Sequence, residues 1–494
     1  MPTFYLQLLL ILCAATALAG WCGWGIARLA LPNALQPYRA LLTPLLGYAL
    51  VIVVGYWFVW TVSGLAPALL ALLLATGALN VLAWRHTGRP HIGALREHLP
   101  ILLLVFATLL VGIAPLLHYG HPAVIGGGWD IETALPTARY LERGPISAIA
   151  TAAPNPLRDL VRDPPRIGKT VGFAVWQGSL DILTQVEAIL TFTPLLAWLR
   201  ALGVLAVYVL LRATLGLRRG PALLGAALTS AGALLLWIGY FNFEKQIAAW
   251  PLIPLGLLIG VAVVEQLALP TESERRTTND ERTPPSSFVL GSSSRLGAML
   301  LAAISLAALT VAYYPALTLW VPLAAGLAAA ILIEQARKPK AIPRLLLATV
   351  ALATLTAIVA APAILDYWHG FAYRYNEQLT TLGVFFYIPA TDILGLTPYL
   401  HGQAEPPALS IWVLAGLAAF GLLALAGLLL PATNDERRRT QDEGRKWPES
   451  FVLRPAFSAR LRWCGLLLGA LAYLAWLRWW QQYPYAYLKG AAYA

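Results

Sequence analysis

The chain has 494 residues, 59% of them hydrophobic and only 12% charged, with a formal net charge of +11. A soluble domain is close to half apolar and about a quarter charged, so this balance excludes an ordinary water-soluble protein. The basic residues lie in short segments between apolar runs, as in the cytoplasmic loops of a membrane protein; that pattern excludes nucleic acid as a partner.

Apolar runs of about 18 residues or more span a bilayer as helix, and about twelve are predicted here. They cover 4–27, 41–60, 62–84, 100–117, 196–217, 221–239, 247–268, 296–312, 316–333, 345–364, 409–431 and 461–480. The first run imitates a secretory signal, with an Ala17-Leu18-Ala19 cleavage pattern. It lacks a positive n-region and continues past that site, so it reads as a spanning helix.

Between the runs, basic loops alternate with loops poor in charge. Arg28 and Arg39 form the first basic set; Arg85, Arg89 and Arg96 form the second; Arg212, Arg218 and Arg219 form the third. Later sets hold Arg275, Arg276, Arg282 and Arg295, then Arg337, Lys338, Lys340 and Arg344, then Arg437 to Arg439. The positive-inside rule places them in the cytoplasm and the N-terminus outside. The protein is expected to be a multi-pass protein of the cell membrane. Two cytoplasmic loops, 271–288 and 434–450, are polar and of mixed charge, the composition of solvated linkers.

The opposite loops, 118–195 and 365–408, are rich in aromatic residues, Pro and Gly. Within the first, 181–200 has a near-helical period and is expected to lie along the membrane surface, with Arg200 at the outer headgroups. The tail after Trp479-Trp480, QQYPYAYLKGAAYA, reads as the start of a further helix, as in a shortened version of a longer membrane protein. The predicted fold is all-α: a polytopic bundle with extracytoplasmic loops. It divides into a four-helix segment at 1–117, a large outer loop at 118–195, a helical core at 196–480 and an outer tail at 481–494.

The chemistry gathers on the outer side. GGGWDIETALPTARYLERGP, residues 126–145, carries Asp130 and Glu132 before a short helix with Gly144 and Pro145 as its stop. Either residue Asp130 or Thr133 could cap that helix, or the acids could be functional. A carboxylate at the membrane surface can serve as a general base. Asp-x-Glu also suits a hard divalent cation such as Mg²⁺ or Mn²⁺. Other acids have a plainer reading: Asp159 and Asp163 stand beside Arg158, Arg162 and Arg166. Ile167-Gly168-Lys169-Thr170 echoes a P-loop but lacks its first glycine. His118 and His121 have metal-like spacing without a third ligand nearby. Cys13, Cys22 and Cys464 show no metal or disulfide framework.

The acidic WDIE at 129–132, just after a spanning helix, followed by a helix of the TARYLERG kind, resembles the GT-C superfamily of membrane glycosyltransferases. The many spanning helices and aromatic outer loops fit the same architecture. About four helices precede the loop, where many members have one; such extra helices resemble those of poorly characterised bacterial GT-C-like proteins. The resemblance implies transfer of a sugar from a polyprenyl phosphate to a hydroxyl acceptor, which would be a glycan, lipid or protein. Asp130 would be the base and Glu132 its helper or a metal ligand. The leaving phosphate needs positive charge, for which Lys245 beside Glu244, and Arg374 with His369, are candidates; Tyr314 would line the sugar. All of these residues also suit plain interfacial anchoring. The competing readings are a transporter or flippase of lipid-linked glycans, and a non-catalytic membrane protein of the same fold. The predicted spans carry little charge at mid-depth, which favours the enzyme.

Overall fold

In the computed structural model, residues 2–61, 63–87, 93–121, 130–146, 148, 170–232, 243–268, 291–335, 341–368 and 455–476 are described. Every described element is helical. α1 is Pro2–Leu29; a 3-10 turn at Asn33–Tyr38 leads into α2, Arg39–Thr61. α3 is Leu65–Thr87 and α4 Gly93–Tyr119. Two short helices, α5, Asp130–Leu141, and α6, Gly172–Thr184, precede the next long one, α7, Ala188–Ala213. α8 is Arg219–Ala231, α9 Glu244–Ala249 and α10 Leu252–Ala268. α11 is Gly291–Tyr313, α12 Ala316–Gln335, α13 Ala341–Val359 and α14 Pro455–Ala475.

Among the described residues, nine helical stretches are long and apolar enough to cross a membrane. They are α1 to α4, α7, α9 with α10 taken together, and α11 to α13. The chain is a multi-pass helical membrane protein. Of the other expected spans, 221–239 is described only to Gly232, which caps the helix Arg219–Ala231. The run at 409–431 lies outside the described residues.

Burial sorts the helices into a centre and a rim. α7 and α10 are buried almost all round, as helices apolar on every face must be. α3, α4 and α13 lie outside and turn Leu70, Leu74, Leu103, Phe106, Leu347 and Val350 outward. In water such a surface would be unfavourable; in lipid it is the matched solvent.

Small residues set the closest helix approaches. Gly23 of α1 lies against the Thr43 carbonyl and Gly47 of α2 against the Ala19 carbonyl, so a Cβ at either would collide with backbone. α12 and α14 meet the same way through Gly326 and Gly465, and through Pro322 and Gly469. Where lipid is as apolar as leucine, such backbone contact gives helices a reason to pair. The α12–α14 seam also holds charge. Arg462 Nη2 lies 2.5 Å from Glu265 and 2.9 Å from Glu334, and Ser458 donates to Glu334 at 2.9 Å.

The surface helix expected over 181–200 is corrected. Gln185 takes a left-handed backbone, φ 55°, Val186 is outside any helix and Glu187 is extended, so α6 ends and α7 begins there. Arg200 then lies halfway along α7, buried, and not at the outer headgroups. Its Nη2 donates to the Ser230 carbonyl in the last turn of α8 at 2.7 Å. A cation suits that position because the helix C-terminus leaves carbonyls unpaired.

Candidate functional site

α5 is a helix with two faces. Ala134, Thr137, Ala138 and Leu141 are buried at the spacing of a helical stripe, while Glu132 and Arg139 are exposed. The stripe packs on α6, with Gly178 against the Ala138 carbonyl. Asp130 is the first residue of α5. Pro136 has no N–H to give the Glu132 carbonyl, which opens the first turn further. Beyond Leu141, Gly144 donates to the Tyr140 carbonyl at 3.1 Å, and Tyr140 Oη donates to the Pro145 carbonyl at 3.1 Å. That turn stops the helix without a positive φ at Gly144.

α9 touches α5, α6, α7 and α11. The sequence suggests an outer loop at 240–246, yet Glu244 and Lys245 are in this helix and buried, at 1% and 8% exposure, with Lys245 Nζ 2.8 Å from the Glu244 carboxylate. Tyr48 fixes the helix by donating to the Ala248 carbonyl at 2.9 Å. Gln246 reaches Tyr313 Oη at 3.4 Å, which ties α9 to the turn between α11 and α12. Tyr314 sits in that turn, half-buried, with its ring 4.3 Å from Tyr367. Beside Tyr367, Asp366 accepts hydrogen bonds from Tyr56 Oη and, at 3.0 Å, from Trp60 Nε1.

One end of the bundle therefore gathers the helix that carries Glu132, the buried Glu244–Lys245 pair, and Tyr314. His369, Arg374 and the Asp130 side chain fall outside the described residues. His118 and His121 flank Tyr119, ring against ring, at 4.9 and 5.9 Å. Among the described residues, no group of three or more His, Cys, Asp or Glu gathers to hold a metal.

Sequence reasoning passed over Asp181. It is 2% exposed on α6 and accepts a hydrogen bond from Thr191 at 2.7 Å. Burial pushes its pKa up to about 7; the Thr191 hydroxyl pulls it down, Glu142 just past α5 adds to the rise, and Arg139 opposes it. The signal in the sequence was an acid flanked by apolar residues in GSLDIL, with Gln177 one turn before it. Asp366 was legible only as part of a polar loop.

No family model matches this chain, and neither a curated protein nor a solved structure is similar to it.

Proposed function

We propose that the protein is a membrane glycosyltransferase of the GT-C kind, acting on the extracytoplasmic face. It transfers a sugar from a polyprenyl-phosphate donor to a hydroxyl acceptor with inversion. Asp130 takes the acceptor proton as the acceptor oxygen bonds to the anomeric carbon, and the bond from that carbon to the lipid phosphate breaks. Glu132 assists from the same turn, open to the substrate side. The observation that supports this reading is the contact between α5 and α9, which brings the acid-bearing helix against the helix of Lys245. Positive charge close to the leaving phosphate would stabilise the transition state; Lys245, Arg374 and His369 are its candidates, with Glu244 holding Lys245 and Tyr314 facing the sugar. The acidic pair also has the oxygen chemistry for Mg²⁺ or Mn²⁺.

The test is sugar transfer by the purified full chain from a panel of radiolabelled polyprenyl-phosphate sugars, with and without chelator. Asp130→Asn should abolish transfer and Glu132→Gln should slow it, with both proteins folded. Normal transfer by Asp130→Asn would place the base elsewhere. A second reading, a transporter or flippase of lipid-linked glycans, is favoured by Arg200, a buried charge halfway along a spanning helix. Lipid-linked glycan movement in vesicles, lost in Arg200→Met without any transfer activity, would select it.

A further inference from the structure

α6 and the first turn of α7 enclose a polar cluster that the proposed reaction does not use. Gln177 and Asp181 lie four residues apart on one face of α6, at 0% and 2% exposure. Thr191 of α7 joins them: its hydroxyl donates to Asp181 Oδ1 at 2.7 Å and accepts from Gln177 Nε2 at 3.1 Å. Gln177 Nε2 also donates to the Ala188 carbonyl at 2.7 Å. Both amide protons are thus committed, and the one hydroxyl proton has Asp181 Oδ1 and, at 3.0 Å, the Ala188 carbonyl as its acceptors. Two acceptors, Asp181 Oδ2 and Gln177 Oε1, are fully buried with no donor among the described residues. A pair of buried acceptors without a donor is short of one proton.

We propose that Asp181 is a proton-binding site: its Oδ2 carries a proton directed to Gln177 Oε1, so the acid is neutral in the resting protein. The rise of its pKa to about 7, caused first by burial, agrees with that geometry. A metal ion is a poorer occupant. It would need several hard oxygens, whereas one carboxylate and one amide oxygen suffice for a proton.

The charges that bear on Asp181 come chiefly from α5 and the turn after it, where Glu142 disfavours ionisation and Arg139 favours it. On α9 the Glu244–Lys245 pair balances its own charge. Glu187, at the start of α7, is exposed. The arginines of α1, α3 and α11 (Arg28, Arg85 and Arg295) stand at the helix ends remote from α6, which instead meets Leu65 and Val311. α2 brings Tyr48 and Tyr56, whose hydroxyls are engaged at Ala248 and Asp366. Cys22 of α1 faces Thr76 of α3. Loss of the proton would place a negative charge under α5, the helix that opens with Asp130. The site is independent of the glycosyltransferase reading.

The experiment is infrared difference spectroscopy of the full chain in lipid, in H₂O and D₂O, across about pH 5.5 to 8.5. A protonated-carboxyl C=O stretch should fade as pH rises, shift in D₂O, and be missing in Asp181→Asn. Thr191→Val should move the fading to higher pH, because the lost hydrogen bond favours the ionised form. Identical carboxyl bands in the unmutated protein and Asp181→Asn would overturn the proposal. So would a Thr191→Val titration unmoved or moved to lower pH; that arm stands even if Asp181→Asn fails to fold.

Discussion

Lys245 and Glu244 are neighbours in sequence, buried together, and joined at 2.8 Å. Two charges withdrawn from water are tolerable only as a pair. Lys245→Met leaves the Glu244 carboxylate without that cation inside the bundle and should cost about 3–5 kcal/mol of stability. Lys245→Met with Glu244→Leu should recover most of the loss, since both charges go together. Thermal unfolding in detergent of the two single variants and the double variant decides it; strictly additive losses would mean the pair is not coupled.

The raised pKa of Asp181 makes stability depend on pH in a fixed direction. The folded protein keeps this proton up to about pH 7, whereas the unfolded chain releases it near 3.8, the ordinary value for the group. Stability from this group is full below the lower value and falls as pH rises toward the upper one, by at most about 4 kcal/mol. Asp181→Asn should flatten that fall, so the variant gains on the unmutated protein between pH 5 and about pH 8. Unfolding midpoints across pH measure it, and parallel curves would refute it.

Arg462 holds two acids, Glu265 and Glu334, from two other helices. Arg462→Met would leave both carboxylates facing each other across the seam and should destabilise by about 3–5 kcal/mol. Glu265→Gln made alongside it should restore part of that, because one of the two like charges is gone. Chemical unfolding of the single and double variants reads the difference.

Gly465 meets the Gly326 backbone directly. Gly465→Leu cannot fit there, and α14 must move off α12. The expected loss is about 3 kcal/mol, at the upper end for an overpacked site. Gly465→Ala should already lower the melting temperature, since its Cβ alone meets backbone. An unchanged melting temperature for both would show that α14 docks elsewhere.

The long apolar helices were legible because a spanning segment announces itself by length and composition, without knowledge of its neighbours. The runs expected at 41–60 and 62–84 became Arg39–Thr61 and Leu65–Thr87. The short helix after Asp130 was legible too, from its capping residues and its stop. The site was only partly so. Glu244, Lys245 and Tyr314 stood out as polar or aromatic residues beside apolar runs, but their burial and pairing depend on contacts with α5, α6 and α11. Nothing local marks Gln185 as the break between α6 and α7, so Arg200 was expected outside the bundle.

By itself, then, the sequence determined that this chain is helical, crosses a membrane many times, and carries its two suggestive acids at the start of a short amphipathic helix. Those properties follow from hydropathy and period, which act residue by residue along the chain. Only the tertiary structure decided that α5 rests on α6 and touches α9, that Arg200 meets the end of α8, and that Asp181 is buried with Thr191 as its donor. Desolvation and hydrogen-bond partnership belong to the surroundings of a residue, and packing brings those surroundings from distant parts of the chain.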